Sequence, residues 1–210
     1  MKSLNKKNDL FYLAGLISVA TFLLADIVGG IITPNYDYVK NAVSELFQSG
    51  AEQRLPLSLI LFFHAFMSIL FAIGIIKEHP YKNYKFINIG GILLFFVGLS
   101  NVLSSSIFPQ DPIGAEMTFP GQIHLILVGI TVLLTFILVP IIGQGFYKYN
   151  NWSGFRIFTF ICYPIIIIAG FLSPYAIANN IEIIGLTERI VSYTFYIWIL
   201  VLAIRLLENN

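Results

Sequence analysis

Six long apolar segments, separated by shorter polar ones, run along this chain of 210 residues. Each is close to the ~20 apolar residues that a helix needs to cross the ~30 Å hydrocarbon core of a bilayer. Because lipid cannot satisfy exposed backbone groups, each segment must be helical. The pattern predicts an all-α, polytopic membrane protein whose single integral membrane domain, residues 1–210, is a bundle of six transmembrane helices near 10–32, 57–76, 86–106, 123–142, 157–175 and 190–206.

The composition supports this class and excludes others. Hydrophobic residues make up 57% of the chain and charged residues only 11%, which excludes an ordinary soluble domain. The net charge of +1 comes without a basic stripe, so nucleic acid is excluded as a partner. The single cysteine, Cys162, permits no internal disulfide and no cysteine cluster for a metal. Membrane lipids are the predicted surroundings.

The basic residues are divided unequally between the two sets of connecting segments. Lys and Arg near the ends of spans are retained on the cytoplasmic side. With both termini cytoplasmic, only Lys40, Arg54 and Arg189 lie outside. The other basic residues then lie inside: Lys2, Lys6, Lys7, Lys77, Lys82, Lys85, Lys148, Arg156 and Arg205. This bias predicts a multi-pass protein of the cell membrane with both termini cytoplasmic.

The first outer segment, "TPNYDYVKNAVSELFQSGAEQRLP", is the longest connection in the chain. Within it Val39, Val43, Leu46 and Phe47 recur at helical spacing. This spacing predicts a short amphipathic helix that lies on the outer membrane surface. The alternative is a plain connector without regular structure.

Three polar residues interrupt the apolar spans at similar predicted depth: Asp26, His64 and Asn101. A charged group near mid-span is costly, so these side chains should face the bundle interior and find partners. We expect Asp26 to pair with His64, because both lie about 10–12 Å below the outer ends of their helices at ~1.5 Å rise per residue. Two interpretations stay open: a lock between helices, or the lining of a functional cavity.

A polar stretch, "SSSIFPQDPIGAEMTFPGQIH", connects the third and fourth spans. Its prolines and glycines bend the chain and can return Asp111 to the region of His124. A carboxylate and an imidazole there could hold a metal, relay a proton or bind a cationic head group. Alternatively, Asp111 caps a turn and His124 lies in the membrane interface. Zinc-protease, phosphate-loop and nucleophile-elbow motifs are absent, and no metal or other cofactor is assigned.

Several of these motifs together resemble a known family. "NAVSELFQSGAEQ", "SSIFPQDPIGAEMTFPGQIH" and "GLTERIVSYTFYIWILVLAIRLL" are similar to the six-span bacterial and archaeal proteins called domain of unknown function 998. The resemblance covers nearly the whole chain, although a glutamate stands here where the family has an aspartate after the serine. The positions that carry it are Ser44, Glu45, Phe108, Pro109, Asp111, Pro112, His124, Gly185, Leu186 and Arg189. The resemblance implies a fold and the place of a site, but no reaction.

These motifs come from three helical hairpins and all fall on the predicted outer side. We therefore expect one outward-facing site formed by Ser44, Glu45, Asp111, His124 and Arg189. The preferred function is the binding or transport of a small or amphiphilic ligand. The alternatives are a membrane-embedded hydrolase or transferase that acts on a lipid or lipid-linked substrate at the outer leaflet, or an accessory subunit without a ligand.

Overall fold

Six helices, all long and apolar enough to cross a membrane, make up this computed structural model, which describes residues 6–77 and 84–209. The protein is thus a multi-pass membrane protein. Lys2 and Lys82, which entered the count of basic residues, lie outside the described residues. The helices are α1 Lys6–Ile32, α2 Arg54–Lys77, α3 Lys85–Val102, α4 Phe119–Gly145, α5 Ser153–Ala178 and α6 Ile184–Glu208.

Each helix matches one predicted span, and most extend beyond it. The prediction ended each span at the first polar residues, whereas a helix can continue past them where water or neighbouring protein satisfies their side chains. The largest difference is at α6, which begins at Ile184 rather than near residue 190. Consequently Arg189, predicted to lie in a connecting segment, is inside the helix and only 7% exposed.

The helices form a ring in sequence order, in which each packs against the next and α6 closes back onto α1. Small residues permit close approach, as at Gly98 of α3, which contacts Ile69 of α2. Between α5 and α6, the buried Trp198 indole donates to the Thr159 hydroxyl at 2.8 Å. The α4–α5 pair packs least closely of the neighbouring pairs. The ring is therefore weakest between these two helices.

The first loop, residues 33–53, folds into one end of the ring, which we call the far end because it lies opposite the chain termini. Its only regular element is a 3₁₀ helix, Val43–Phe47. Leu46 and Phe47 of that helix are buried among the transmembrane helices. The predicted helix on the membrane surface was therefore wrong in its location, because its apolar side chains are covered by protein rather than by lipid.

The far end of α3 is also irregular. Its helix widens into a π-helical turn, Leu103–Ile107, in which the Phe108 amide donates to the Leu103 carbonyl at 2.9 Å. Such turns insert an extra residue and often occur at functional sites. Here the turn buries Ser104 and Ser105 beside α4, which begins after the second loop, residues 108–118.

Candidate functional site

A buried ion pair joins α1 to α6 near the far end. The Arg189 guanidinium donates from Nη2 and Nε to the two carboxylate oxygens of Asp26, at 2.8 Å and 3.0 Å. The Tyr193 hydroxyl donates to the same carboxylate at 2.5 Å. Asp26 is completely buried. A bidentate pair with a further donor satisfies most of the carboxylate's hydrogen-bonding capacity, as a charge buried in a membrane helix requires.

The same guanidinium holds the first loop. Its Nη1 donates to the carbonyl oxygens of Tyr38 and Asn41 at 2.8 Å and 2.9 Å, and its Nη2 donates to the Tyr36 hydroxyl at 2.6 Å. Burial raises the pKa of the Tyr36 phenol well above its usual value, although Arg189 opposes the shift. The hydroxyl therefore stays protonated and donates to the Ala42 carbonyl at 2.7 Å. Arg189 is thus a structural clamp whose donors are occupied by the protein itself.

The predicted pairing of Asp26 with His64 was wrong. His64 instead lies opposite Ser18, two turns along α1 from Asp26, and its Nδ1 is 2.8 Å from the Ser18 carbonyl oxygen. The helix α2 begins at Arg54, three residues before the predicted start. His64 is therefore ~15 Å from the end of its helix and Asp26 only ~9 Å from the end of α1, about one turn less deep.

A second polar group surrounds His64 at that deeper level. Because Nδ1 faces a carbonyl, it must carry the proton, which leaves Nε2 as an acceptor. The Tyr196 hydroxyl lies 2.9 Å from Nε2 and donates to it. The Asn101 side chain adjoins the same hydroxyl. Both ring nitrogens of His64 are therefore satisfied, and its tautomer is set by α1 and α6.

His124 has a different environment at the start of α4. Its Nδ1 lies 2.9 Å from the Phe108 carbonyl and 3.2 Å from the Ser104 carbonyl, so Nδ1 carries the proton. Its Nε2 is buried and has no hydrogen-bond partner among the described residues. His124 is only 1% exposed. His124 therefore keeps one imidazole nitrogen that no described residue satisfies.

Asp111 supports the second loop rather than contacting His124 through a hydrogen bond. Its carboxylate accepts from the Thr118 amide at 2.7 Å and from the Thr118 hydroxyl at 2.8 Å. Thr118 in turn caps α4 through Gly121. A Cβ at Gly121 would lie 1.9 Å from the Asp111 carboxylate, so a larger residue there would displace this carboxylate from Thr118. Asp111 thus closes the turn that leads into α4, which is the alternative that the sequence left open.

The two loops are joined directly at the far end. The Ser44 hydroxyl donates to the Gln110 side-chain oxygen. The Ser49 amide donates to the Gln110 carbonyl at 2.8 Å. Glu188 of α6 accepts from the Val43 amide at 2.9 Å. Glu45 accepts from the Ala42 amide and the Asn41 side chain, at 2.7 Å and 2.8 Å. These bonds hold three hairpins together at the far end.

A pocket of about 1350 Å³ lies among the helices and reaches the far end. Its polar lining includes Ser44, Glu45, Gln110, His124 and Glu188, with His64 and Asn101 deeper in the bundle. Much of the remaining wall is apolar and comes from α4 and α5. The arrangement can receive a molecule that has both polar and apolar parts.

The structure brings together only some of the predicted site residues. Ser44, Glu45 and His124 line the pocket, whereas Asp111 and Arg189 are absent from its lining. No hydrogen bond joins any two of these five side chains within residues 6–77 and 84–209. The same described ranges contain no group of three or more His, Cys, Asp or Glu side chains that could hold a metal ion.

Comparison with known families agrees with the six-helix architecture. The model of a family described as protein of unknown function (DUF998) matches residues 16–205. The chain belongs to this family. Curated proteins and solved structures give no match to the chain. Membership in DUF998 is therefore consistent with the fold but assigns no ligand and no reaction.

Two tyrosines of the pocket and clamp of this DUF998 protein were not predicted from the sequence, although their spacing carried a signal. Tyr193 and Tyr196 lie four and seven residues after Arg189, hence on the same face of α6. Glu188 directly precedes Arg189 in the "GLTER" motif. A helical interpretation of that motif would have placed Arg189 and the two tyrosines in the interior together. By contrast, the partnership of Gln110 with Ser44 has no signal in the sequence.

Proposed function

We propose that this protein binds an amphiphilic molecule from the surrounding membrane in its central pocket. The polar group of that molecule would lie at the far end, near His124, and its apolar chain would extend between α4 and α5. One observation carries this proposal: the same pocket has a polar end and an apolar wall that includes exposed side chains of α4 and α5.

The apolar wall supports entry of the ligand from the lipid. Leu133 of α4 and Phe171 of α5 line the pocket, yet they are 61% and 64% exposed on the helix bundle. A side chain that both lines the pocket and is exposed marks a place where the pocket opens on the outer surface of the helix bundle. The α4–α5 pair is also the least closely packed of the neighbouring pairs. An alkyl chain can therefore occupy this gap at little cost, because it exchanges one apolar environment for another.

The polar end supports the binding of a head group that donates hydrogen bonds. Nε2 of His124 is an acceptor without a partner in the described part of the chain. Ser44 and Gln110 already bond to each other, so they form a preorganised rim. Buried polar atoms without partners are rare, and a ligand or ordered water often accounts for them. The polar end is thus suited to a donor carried by an amphiphile.

A second candidate, an enzyme acting on a lipid or lipid-linked substrate, is favoured by the same nitrogen. An unprotonated imidazole held by backbone carbonyls can act as a general base. The hydroxyls of Ser104 and Ser105 are used elsewhere, because both donate to the Asn101 carbonyl. His124 would then take a proton from a substrate hydroxyl or from a water molecule. Formation of a product from the bound amphiphile would distinguish catalysis from binding.

Filling the pocket tests the proposal. A Cβ at Gly129, which lines the pocket, meets no atom within 4 Å. Gly129→Leu should place a larger side chain in the pocket and reduce saturable photocrosslinking of diazirine-labelled C12 amphiphiles by about tenfold, equivalent to ~1.4 kcal/mol. The probes are an amine, an alcohol and a carboxylate of equal chain length, applied to the protein in phosphatidylcholine nanodiscs.

The matched control is Gly154→Leu, because Gly154 also has open space around it but lies outside the pocket lining. This variant should crosslink like the wild type. If none of the three probes crosslinks saturably to the wild type, the binding proposal fails. The accessory-subunit interpretation would then be preferred.

The proposed orientation places the far end outside the cell. In a Cys162→Ala background, Glu116→Cys in the second loop should react with a membrane-impermeant maleimide added to intact cells. Lys148→Cys, in the connection between α4 and α5 at the opposite end, should react only after the cells are opened. Both positions are exposed in the structure. The reverse labelling pattern would show that the pocket opens toward the cytoplasm.

A further inference from the structure

We propose that the head group taken by this pocket is a protonated primary amine and that anionic head groups are rejected. This inference rests on the proposed function, because it names the chemical class of the ligand for the same pocket. It follows from the acceptors at the polar end and from the lack of any cation there that is free to bind an anion.

The first acceptor is Nε2 of His124. The carbonyls of Phe108 and Ser104 hold the proton on Nδ1 and thereby keep Nε2 unprotonated in the neutral ring. His124 is 1% exposed and Nε2 has no partner among the described residues. A buried acceptor without a donor is unfavourable, so a ligand that supplies an N–H or O–H group is favoured at this position.

The second acceptor is Glu188, which also lines the pocket. Its Oε2 accepts from the Val43 amide at 2.9 Å, and its other oxygen accepts no hydrogen bond within the described part of the chain. The neighbouring Arg189 does not bond to Glu188, because its donors are directed at Asp26, Tyr36 and backbone carbonyls. One Glu188 oxygen is therefore left for a hydrogen-bond donor or a cation in the pocket.

The charges that line the pocket have one predominant sign. The carboxylates are Asp37, Glu45, Glu182 and Glu188, whereas the only lysine or arginine that lines the pocket within residues 6–77 and 84–209 is Lys40. Lys40 is itself paired with Glu182 at 2.5 Å. Sites for phosphate or carboxylate normally present free Arg or Lys donors. Without such a donor, an anionic head group would meet net negative charge and would not be paired.

A primary ammonium group suits this combination because it carries three donors and a positive charge. One N–H would be donated to the His124 Nε2, and the positive charge would be attracted by the carboxylates that line the pocket, Glu188 among them. A neutral hydroxyl can satisfy His124 but gains nothing from the negative charge. The expected order of affinity is therefore amine above alcohol above carboxylate, at equal chain length.

The test compares diazirine-labelled dodecylamine, dodecanol and dodecanoate at pH 7 with the full chain in phosphatidylcholine nanodiscs. Only the saturable signal that Gly129→Leu removes is counted, which corrects for partition into lipid. Dodecylamine should half-saturate at a concentration at least about tenfold below that of dodecanoate, a difference of ~1.4 kcal/mol. Equal or tighter binding of dodecanoate would overturn the inference while leaving the proposed function intact.

Variants of His124 and Glu188 test which of the two acceptors is responsible for the difference in probe binding. His124→Asn keeps an N–H near the Nδ1 position for the Phe108 carbonyl but removes Nε2, so binding of both amine and alcohol should weaken about tenfold. His124→Gln, whose longer side chain carries an acceptor to the Nε2 position, should restore part of that binding. If His124→Asn binds both probes as the wild type does, the role of Nε2 is disproved.

Glu188→Gln should abolish the preference for amine over alcohol, because it keeps an acceptor for the Val43 amide but removes the charge. Glu116→Gln is the matched control, since Glu116 is exposed and outside the pocket lining. An unchanged preference in Glu188→Gln would overturn the proposed role of the carboxylate. Absence of saturable crosslinking for all three probes would instead refute the proposed function, and with it this inference.

Discussion

Replacing Arg189 with methionine should destabilise the folded protein by about 3–5 kcal/mol, the usual cost of leaving a buried charge without its partner. The Asp26 carboxylate, completely buried, would keep only the hydrogen bond from Tyr193. The carbonyls of Tyr38 and Asn41 would also lose their donor. The free energy of unfolding can be measured by reversible denaturation in mixed micelles.

Two further variants distinguish the effect of leaving Asp26 unpaired from the effect of removing any cation. Lys40→Met removes a cation from an exposed ion pair at the same end, so it should leave the unfolding midpoint nearly unchanged. The double variant Asp26→Leu/Arg189→Met replaces the whole pair with apolar groups and should recover much of the lost stability. Equal midpoints for Arg189→Met and Lys40→Met would contradict a buried clamp.

Gly185→Ala should be the most damaging single methyl addition at the far end. A Cβ there would lie 2.3 Å from the Asn41 carbonyl oxygen and 2.7 Å from the Tyr38 carbonyl oxygen. These are backbone atoms that Arg189 holds in place, so they cannot move aside without breaking its hydrogen bonds. We expect a loss at the upper end of the ~1–3 kcal/mol typical of overpacking, measured by the same denaturation experiment.

Gly154→Ala is the control, because a Cβ at Gly154 meets no atom within 4 Å. This substitution should leave stability unchanged or raise it slightly, since alanine is more favourable than glycine within a helix. Gly185→Ala and Arg189→Met disturb the same contact between the first loop and α6, so their effects should not add. Full additivity in the double variant would show that the glycine and the arginine act independently.

The clamp also explains how the pocket obtains its polar end. Arg189 holds the first loop, which positions Ser44 against Gln110 of the second loop. The second loop in turn supplies the Phe108 carbonyl that orients His124. Replacing Arg189 is therefore expected to change the orientation of His124, although Arg189 does not contact it. In this sense Arg189 is a positioning residue for the pocket, whereas His124 is available for direct contact with a ligand.

The helices were predictable because a membrane span is a local property of the chain. Twenty apolar residues in lipid must form a helix in order to satisfy their backbone groups, whatever their neighbours are. The ends were less predictable, as α6 shows, because Arg189 can lie inside a helix only when Asp26 of a distant helix neutralises it. Polar residues therefore mark the end of a span only where no partner is available.

The sequence alone determined that six helices cross a membrane and which polar residues must avoid lipid; its basic residues also predict an orientation. Only the tertiary structure decided which of these polar residues meet. Asp26 pairs with Arg189 rather than with His64, and Nε2 of His124 has no hydrogen-bond partner among the described residues. The physical reason is that these helices are apolar on most sides, so their sequences specify neither the inward face nor the depth of one helix relative to the next. Both are set by close packing between helices of the ring, and the sequence of one helix does not specify these contacts.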